Sequence, residues 1–218
     1  FRIGYYPASH IPNSGKIFFL LGLLGFATAN VFAIANDGAY LGLELGATNQ
    51  STNFNQSAFN TNATNSNVVN SQWNGIGRLY SGYNFDRYTG LEAGISYSFP
   101  TNYNYPNQSG AFSSSASVFD VSYVPMLPIA YSNWAVFGRV GAGYALLSGG
   151  SSGQLNPSGG NFTDVLGAGL RYKFTNHWTY KIEWIADGLL FPVGINSGST
   201  TVGSWSQQTF QTGVSFHF

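Results

Sequence analysis

Ser206-Gln207-Gln208-Thr209-Phe210-Gln211-Thr212-Gly213-Val214-Ser215-Phe216-His217-Phe218 alternates residue by residue. One parity holds Gln207, Thr209, Gln211, Gly213, Ser215 and His217. The other holds Gln208, Phe210, Thr212, Val214, Phe216 and Phe218. Successive side chains of a strand point to opposite faces, so this stretch predicts a strand with one polar and one largely apolar face. A strand of a water-soluble sandwich would read the same way. The fold is decided by whether other segments repeat the pattern, and by which face carries the ionic groups.

The pattern recurs. Ala39–Ala47 sets Leu41, Leu43 and Leu45 against Tyr40, Gly42 and Glu44. Gly75–Phe85, Tyr88–Phe99, Ser115–Tyr123, Trp134–Tyr144, Asp164–Phe174 and Trp178–Ala186 alternate in the same way. With the quoted stretch, the sequence predicts eight strands of roughly the ~9–11 residues that a tilted strand needs to cross a bilayer. Short connections follow Phe85, Tyr123 and Phe174. Asn49–Gln72, Pro100–Gly110, Ser148–Gly160 and Gly188–Ser204 are rich in Asn, Ser, Thr and Gly, have no hydrophobic period, and read as four longer loops. Alternating long and short connections are those of an all-β, eight-stranded antiparallel up-and-down transmembrane β-barrel. Its short turns would lie in the periplasm and its four long loops outside.

Composition agrees. Charged residues are 7% of the 218-residue chain and aromatic residues 17%, against ~25% charged in an average soluble domain. The formal net charge is zero, which argues against a nucleic-acid partner. There is no cysteine, which excludes disulfides and thiolate metal sites.

The ionic residues carry the most weight. Glu44, Arg78, Glu92, Asp120, Arg139, Arg171, Lys173, Lys181 and Glu183 all fall on the parity that holds Gly and Ser, and the expectation is that no strand charge sits among the Leu, Val and aromatic residues of the other face. A soluble barrel would place apolar residues inside. Here the apolar face is expected to meet lipid, and the nine ionic groups to form a paired network in a narrow lumen. Trp73, Tyr83, Tyr97, Tyr123, Trp134, Tyr144, Trp178 and Tyr180 sit near strand ends, as aromatic girdles do.

Upstream, Lys16 precedes an apolar run from Ile17 to Phe26, and small residues end in Ala33-Ile34-Ala35. This is the pattern of a secretory signal peptide over 16–35, cleaved after Ala35. It implies export and leaves 36–218 as the barrel domain. Residues 1–15 read as an upstream or non-native extension.

From Asn36 to Phe218 the chain resembles the small outer-membrane β-barrel family, of the OmpA-like transmembrane domain, OmpX and opacity-protein type. The resemblance rests on Tyr40-Leu41-Gly42-Leu43-Glu44-Leu45-Gly46, Arg78-Leu79-Tyr80-Ser81-Gly82-Tyr83, Gly141-Ala142-Gly143-Tyr144 and Phe218. It implies the outer membrane of a Gram-negative bacterium, with membrane lipid and lipopolysaccharide as surroundings. It also implies an assembly signal at Phe210, Val214, Phe216 and Phe218, read by the barrel-assembly machinery, with Thr212 departing from the pattern. Salt-bridged lumens are a further family trait, for which Glu44, Glu92, Arg78 and Arg139 are candidates.

No cofactor, metal or catalytic residue is expected. Gly75-x-Gly77, Gly141-x-Gly143 and Gly167-x-Gly169 never complete a dinucleotide fingerprint. His177 and His217 lack a partner histidine at strand spacing. The expected role is a non-enzymatic scaffold that displays loops for adhesion or other surface interaction with a host or cell-surface ligand. The alternatives are a narrow pore or hydrophobic-solute channel, and a lipid-modifying enzyme. Tyr40, Tyr80, Phe137, Arg139 and Arg171 are bulky enough to plug an eight-stranded interior.

Overall fold

The computed structural model describes residues 38–55, 67–104, 111–151, 158–197 and 200–218. The expected signal segment, its cleavage point after Ala35 and the extension before Lys16 lie outside the described residues. The strands are β1 (Ala39–Asn55), β2 (Asn67–Asn84), β3 (Thr89–Asn104), β4 (Ala111–Pro128), β5 (Trp134–Ser151), β6 (Ser158–Lys173), β7 (Trp178–Asp187), β8 (Val193–Ser197) and β9 (Thr200–His217).

Each strand from β1 to β6 pairs antiparallel with the next, and β9 closes the barrel. One edge of β9 takes β1, from Tyr40–His217 to Phe54–Gly203. Its other edge takes β7 over Gln207–Phe216 and then β8 over Thr200–Trp205. β7 and β8 are therefore two pieces of one wall strand, broken at Gly188–Pro192, and the closed barrel is eight-stranded. The stretch quoted first is the closing strand, hydrogen-bonded on both edges.

The strands run well past the ends that hydrophobic alternation predicts. β1 continues from Ala47 to Asn55, β2 starts at Asn67, and β6 starts at Ser158. The register shows why. Going up the outer face of β1, Leu41, Leu43, Leu45 and Ala47 give way to Asn49, Ser51 and Asn53. Ala47 pairs with Phe210 and Asn49 with Gln208, so the apolar-to-polar switch occurs at one level on both strands. Above that level the wall continues with polar residues on both faces, and the hydrophobic period vanishes while the strand does not. Much of what reads as four long loops is strand.

Local breaks have local causes. The register of β3 against β4 shifts between Ser98 and Thr101, where Pro100 has no N–H to give the ladder. Gly188 adopts φ 71°, where side-chain-bearing residues are strained, and there the chain leaves the wall.

At the turn end, Asp86 Oδ1 accepts the Tyr88 and Thr89 backbone N–H groups, each at 2.7 Å, and the Thr89 hydroxyl at 3.0 Å. The Tyr88 N–H holds the exposed Asp86 carboxyl below its ordinary pKa. The folded value is the lower one, so this contribution is present above the ordinary value and lost as pH falls through the folded one. Chemical-shift titration should place Asp86 below ~3.9, and Thr89→Val should move it back towards that value. An unshifted Asp86 in the parent protein would contradict the turn geometry.

Candidate functional site

The lumen is the most strongly constrained part of the molecule. Glu44, Arg78, Glu92, Asp120, Arg139, Lys181 and Glu183 all point inward and are buried. Strand pairing sets their levels: Glu44 lies opposite Arg78 on β1–β2, and Gly94 lies opposite Asp120 on β3–β4. Gly94 leaves space for the neighbouring guanidinium, because a Cβ there would sit 2.5 Å from Arg78 Nη2.

Arg78 donates to Glu44 at 3.1 Å, Glu92 at 2.8 Å and Asp120 at 2.9 Å. Arg139 pairs with Glu92, Asp120 and Glu183. Lys181 Nζ lies 2.9 Å from Glu44, 3.4 Å from Glu92 and 3.1 Å from Glu183. Glu92 is the hub, touching all three cations and accepting the Tyr40 hydroxyl at 3.1 Å.

Arg171 sits nearer the turn end, outside these ion pairs. It faces the Tyr40 and Phe137 rings with centroids at 5.4 and 5.5 Å, and Met126 Sδ at 3.1 Å. Lys181 Nζ is 3.9 Å from the centroid of the Tyr80 ring. Val124, Met126 and Phe137 form a buried apolar cluster at this end. Tyr40, Tyr80 and Phe137, read from sequence as plug residues, are at most 2% exposed, so they fill the lower lumen. Towards the loop end the ion pairs give way to hydrogen bonds between polar side chains. Gln50 donates to Ser98, Thr209 to Thr48 and Gln207 to Asp187.

Eight of the nine ionic residues expected in the lumen are buried there. Lys173 is the exception. It has the lumen parity but is the last residue of β6, at the turn-end rim, and is exposed. Asp187 was missed, although the parity of Lys181 and Glu183 points it inward; it is buried at the loop-end edge of β7. Asp164 breaks the rule that strand charges avoid the apolar face. It shares the outward parity of Phe162 and Leu166, yet is 8% exposed, because Gly188–Pro192 folds over it.

The outer face carries Leu43, Leu79, Ile95, Val121, Val140 and Ile182, all 40% exposed or more. Trp73, Tyr97, Tyr123, Trp134, Tyr144 and Trp178, expected in the girdles, are exposed on the same face. Phe210, Val214 and Phe218 of the expected assembly signal also point outward, and Phe216 packs against Trp178 with ring centroids 5.2 Å apart.

His217 stacks on Tyr40 with ring centroids 5.0 Å apart, and its Nε2 lies 3.1 Å from Thr179 Oγ1 and 3.4 Å from Ser215 Oγ. The Ser215 hydroxyl is buried.

The family model described as outer membrane protein beta-barrel domain matches residues 18–218. No curated protein matches the chain. Among solved structures, the outer membrane protein OprG from Pseudomonas aeruginosa is similar at TM-score 0.53 and 10% identity, over 84% of this chain and 97% of that one. Ail, the attachment invasion locus protein of Yersinia pestis, solved with the heparin analogue sucrose octasulfate, gives 0.47 and 11%, over 83% and 99%. The outer membrane enzyme PagL gives 0.42 and 17%, over 82% and 99%. At these identities the likeness is one of fold.

Breaking a buried network by removing one partner costs ~3–5 kcal/mol, because the remaining charges stay buried without compensation. Glu92→Ala should destabilise by about that amount, whereas Lys173→Ala at the rim should stay within ~0.5 kcal/mol. Urea unfolding of the barrel in phospholipid vesicles reads both, and comparable losses would contradict the placement of the hub.

Proposed function

The chain belongs to the outer membrane protein β-barrel family, and we propose that it is a non-enzymatic scaffold whose wall presents an uncharged, hydrogen-bonding surface to partners outside the cell. One observation carries this reading: the lumen is filled, while the wall continues past its apolar band with uncharged polar residues on both faces. An eight-stranded interior is just wide enough for side chains to fill, and here a buried ion-pair network crosses it. That filling weighs against a pore. The buried Ser215 weighs against an esterase-like site on the His217 pair.

The projecting segments have a distinct chemistry. No Asp, Glu, Lys or Arg occurs in residues 45–77, 93–119, 140–163 or 188–218. Asn, Ser, Thr, Gln and Tyr dominate the parts beyond the apolar band. Such a surface recognises neutral polar groups, such as sugar hydroxyls or peptide amides, by hydrogen bonds and ring contacts. A rigid barrel with recognition residues at one end is a common way of dividing stability from binding.

The test is binding of whole cells or purified protein to host-cell surfaces, with residues 56–66, 105–110 and 152–157 shortened one at a time. Shortening at least one should abolish binding while heat-modifiable folding persists. Contacts without ionic groups are little screened by salt, so binding should hold between low and physiological ionic strength. Full binding by all three shortened proteins would overturn the proposal, as would steep loss with salt. Stable, reproducible single-channel steps in planar bilayers would favour the pore instead.

A further inference from the structure

Arg78, Arg139 and Lys181 each meet several carboxylates. Arg171, buried on the same inner face, forms no ion pair among the described residues. One of its N–H groups, on Nη1, reaches the Met126 thioether at 3.1 Å, which is a weak acceptor. The Tyr40 hydroxyl takes another. Nε is buried and has no partner among the described residues. Glu92 acts on this guanidinium across the Tyr40 hydroxyl that both share, and Glu92 is already held by Arg78, Arg139 and Lys181. A buried charge without its opposite is costly, yet one stands here near the turn end.

Its surroundings are positive. Lys173 follows on the same face of β6, ~7 Å further along the strand, and is exposed at the rim. Lys173 pairs with Thr179 on β7, and Thr179 pairs with Ser215 on β9. Both hydroxyls engage His217 Nε2, at 3.1 and 3.4 Å, so Nδ1 is the ring nitrogen left to meet a ligand. Arg171, Lys173 and His177 all lie within electrostatic reach of that ring. Asp86 is the one acid among the described residues of this end, and the backbone of its own turn takes its carboxylate. The corner is open to the outside. Ala135, the inward ladder partner of Arg171 on β5, is small and half-buried, as is the His217 ring, and Lys173 is exposed.

We propose that this corner of the turn-end mouth binds a phosphate group, gripped by the Nε edge of Arg171 and flanked by the Lys173 ammonium and the His217 ring. Charge selects an anion. The donor selects an oxyanion, because a guanidinium presents paired N–H groups that match two oxygens of a phosphate or carboxylate. Two cations and an imidazole at one corner favour phosphate, which carries more charge than a carboxylate. Short turns face the periplasm in barrels of this class, so the phosphate comes from a phospholipid head of that leaflet or from a periplasmic solute. The site is independent of the surface contacts proposed for the opposite end.

The experiment is nuclear magnetic resonance of the whole chain, refolded in an uncharged maltoside detergent, following the Arg171 Nε–H signal. Potassium phosphate is titrated against potassium chloride at matched ionic strength, and dioleoyl phosphatidylglycerol against dioleoylglycerol. The signal should shift saturably with a phosphate source and stay in place with chloride and dioleoylglycerol. A response to inorganic phosphate, with or without the lipid, identifies a solute site, and a response to phosphatidylglycerol alone identifies a headgroup site. Lys173→Ala should weaken binding roughly fivefold, the upper end for one exposed ion pair. Arg87→Ala removes an exposed cation of the β2–β3 turn and should leave binding unchanged. Folding of each variant is read separately by its heat-modifiable gel shift. Absence of a saturable shift with both sources would overturn the proposal, and so would an equal response to chloride. Unchanged binding in folded Lys173→Ala, or equal loss in Lys173→Ala and Arg87→Ala, would also overturn it.

Discussion

An ionic side chain cannot rest in hydrocarbon at tolerable cost. Near the bilayer midplane an Arg or Lys on the lipid face costs ~2–4 kcal/mol, and every polar backbone group there must be bonded within the protein. Both demands are met by one arrangement. The strands close on themselves, with β9 pairing β1 and β7 at once, and the ionic groups turn inward. Inside, burial would be as costly as lipid unless each charge met its opposite. The contacts of Glu92 with Arg78, Arg139 and Lys181 supply that compensation.

The rest of the structure follows from this inward crowding. A lumen packed with Arg78, Arg139, Lys181 and the Tyr40, Tyr80 and Phe137 rings has little room for a passage. Side chains that fill the interior also leave few positions on the spanning wall free for binding. Two places escape these constraints. One is the uncharged end of the barrel beyond Ala47 and Phe210, where the proposed surface contacts lie. The other is the turn-end mouth, where Arg171 lies outside the ion pairs. Asp164 shows how strong the constraint is, since its outward carboxylate is tolerated only under the Gly188–Pro192 flap, which donates two backbone N–H groups.

The barrel and most of its lumen were legible in the sequence because parity is a physical quantity in a strand. Glu44, Arg78, Glu92, Asp120, Arg139, Arg171, Lys181 and Glu183 share a parity with glycine, and they share the interior. Lys173 has the same parity but not the same depth, and depth cannot be read from alternation alone. The strand ends were misplaced for a related reason. Hydrophobic period reports the part of a strand that lies in lipid, and it falls silent where Asn49, Ser51 and Asn53 face water. The flap was illegible because it looks like any other Gly- and Pro-bounded loop. The available hint was Asp164, a lone carboxylate between Phe162 and Leu166 on the greasy parity.

The chain has no cysteine, so single cysteines can be placed and spin-labelled at will. The most direct measurement is electron paramagnetic resonance of labels at Leu43, Val121, Val140 and Ile182, in phospholipid vesicles, comparing collisions with dissolved oxygen and with a water-soluble nickel chelate. If the apolar face meets hydrocarbon, all four labels will be open to oxygen and closed to nickel. Ready access of nickel at these positions would mean that water covers this face, and the inward placement of the charges would lose its cause.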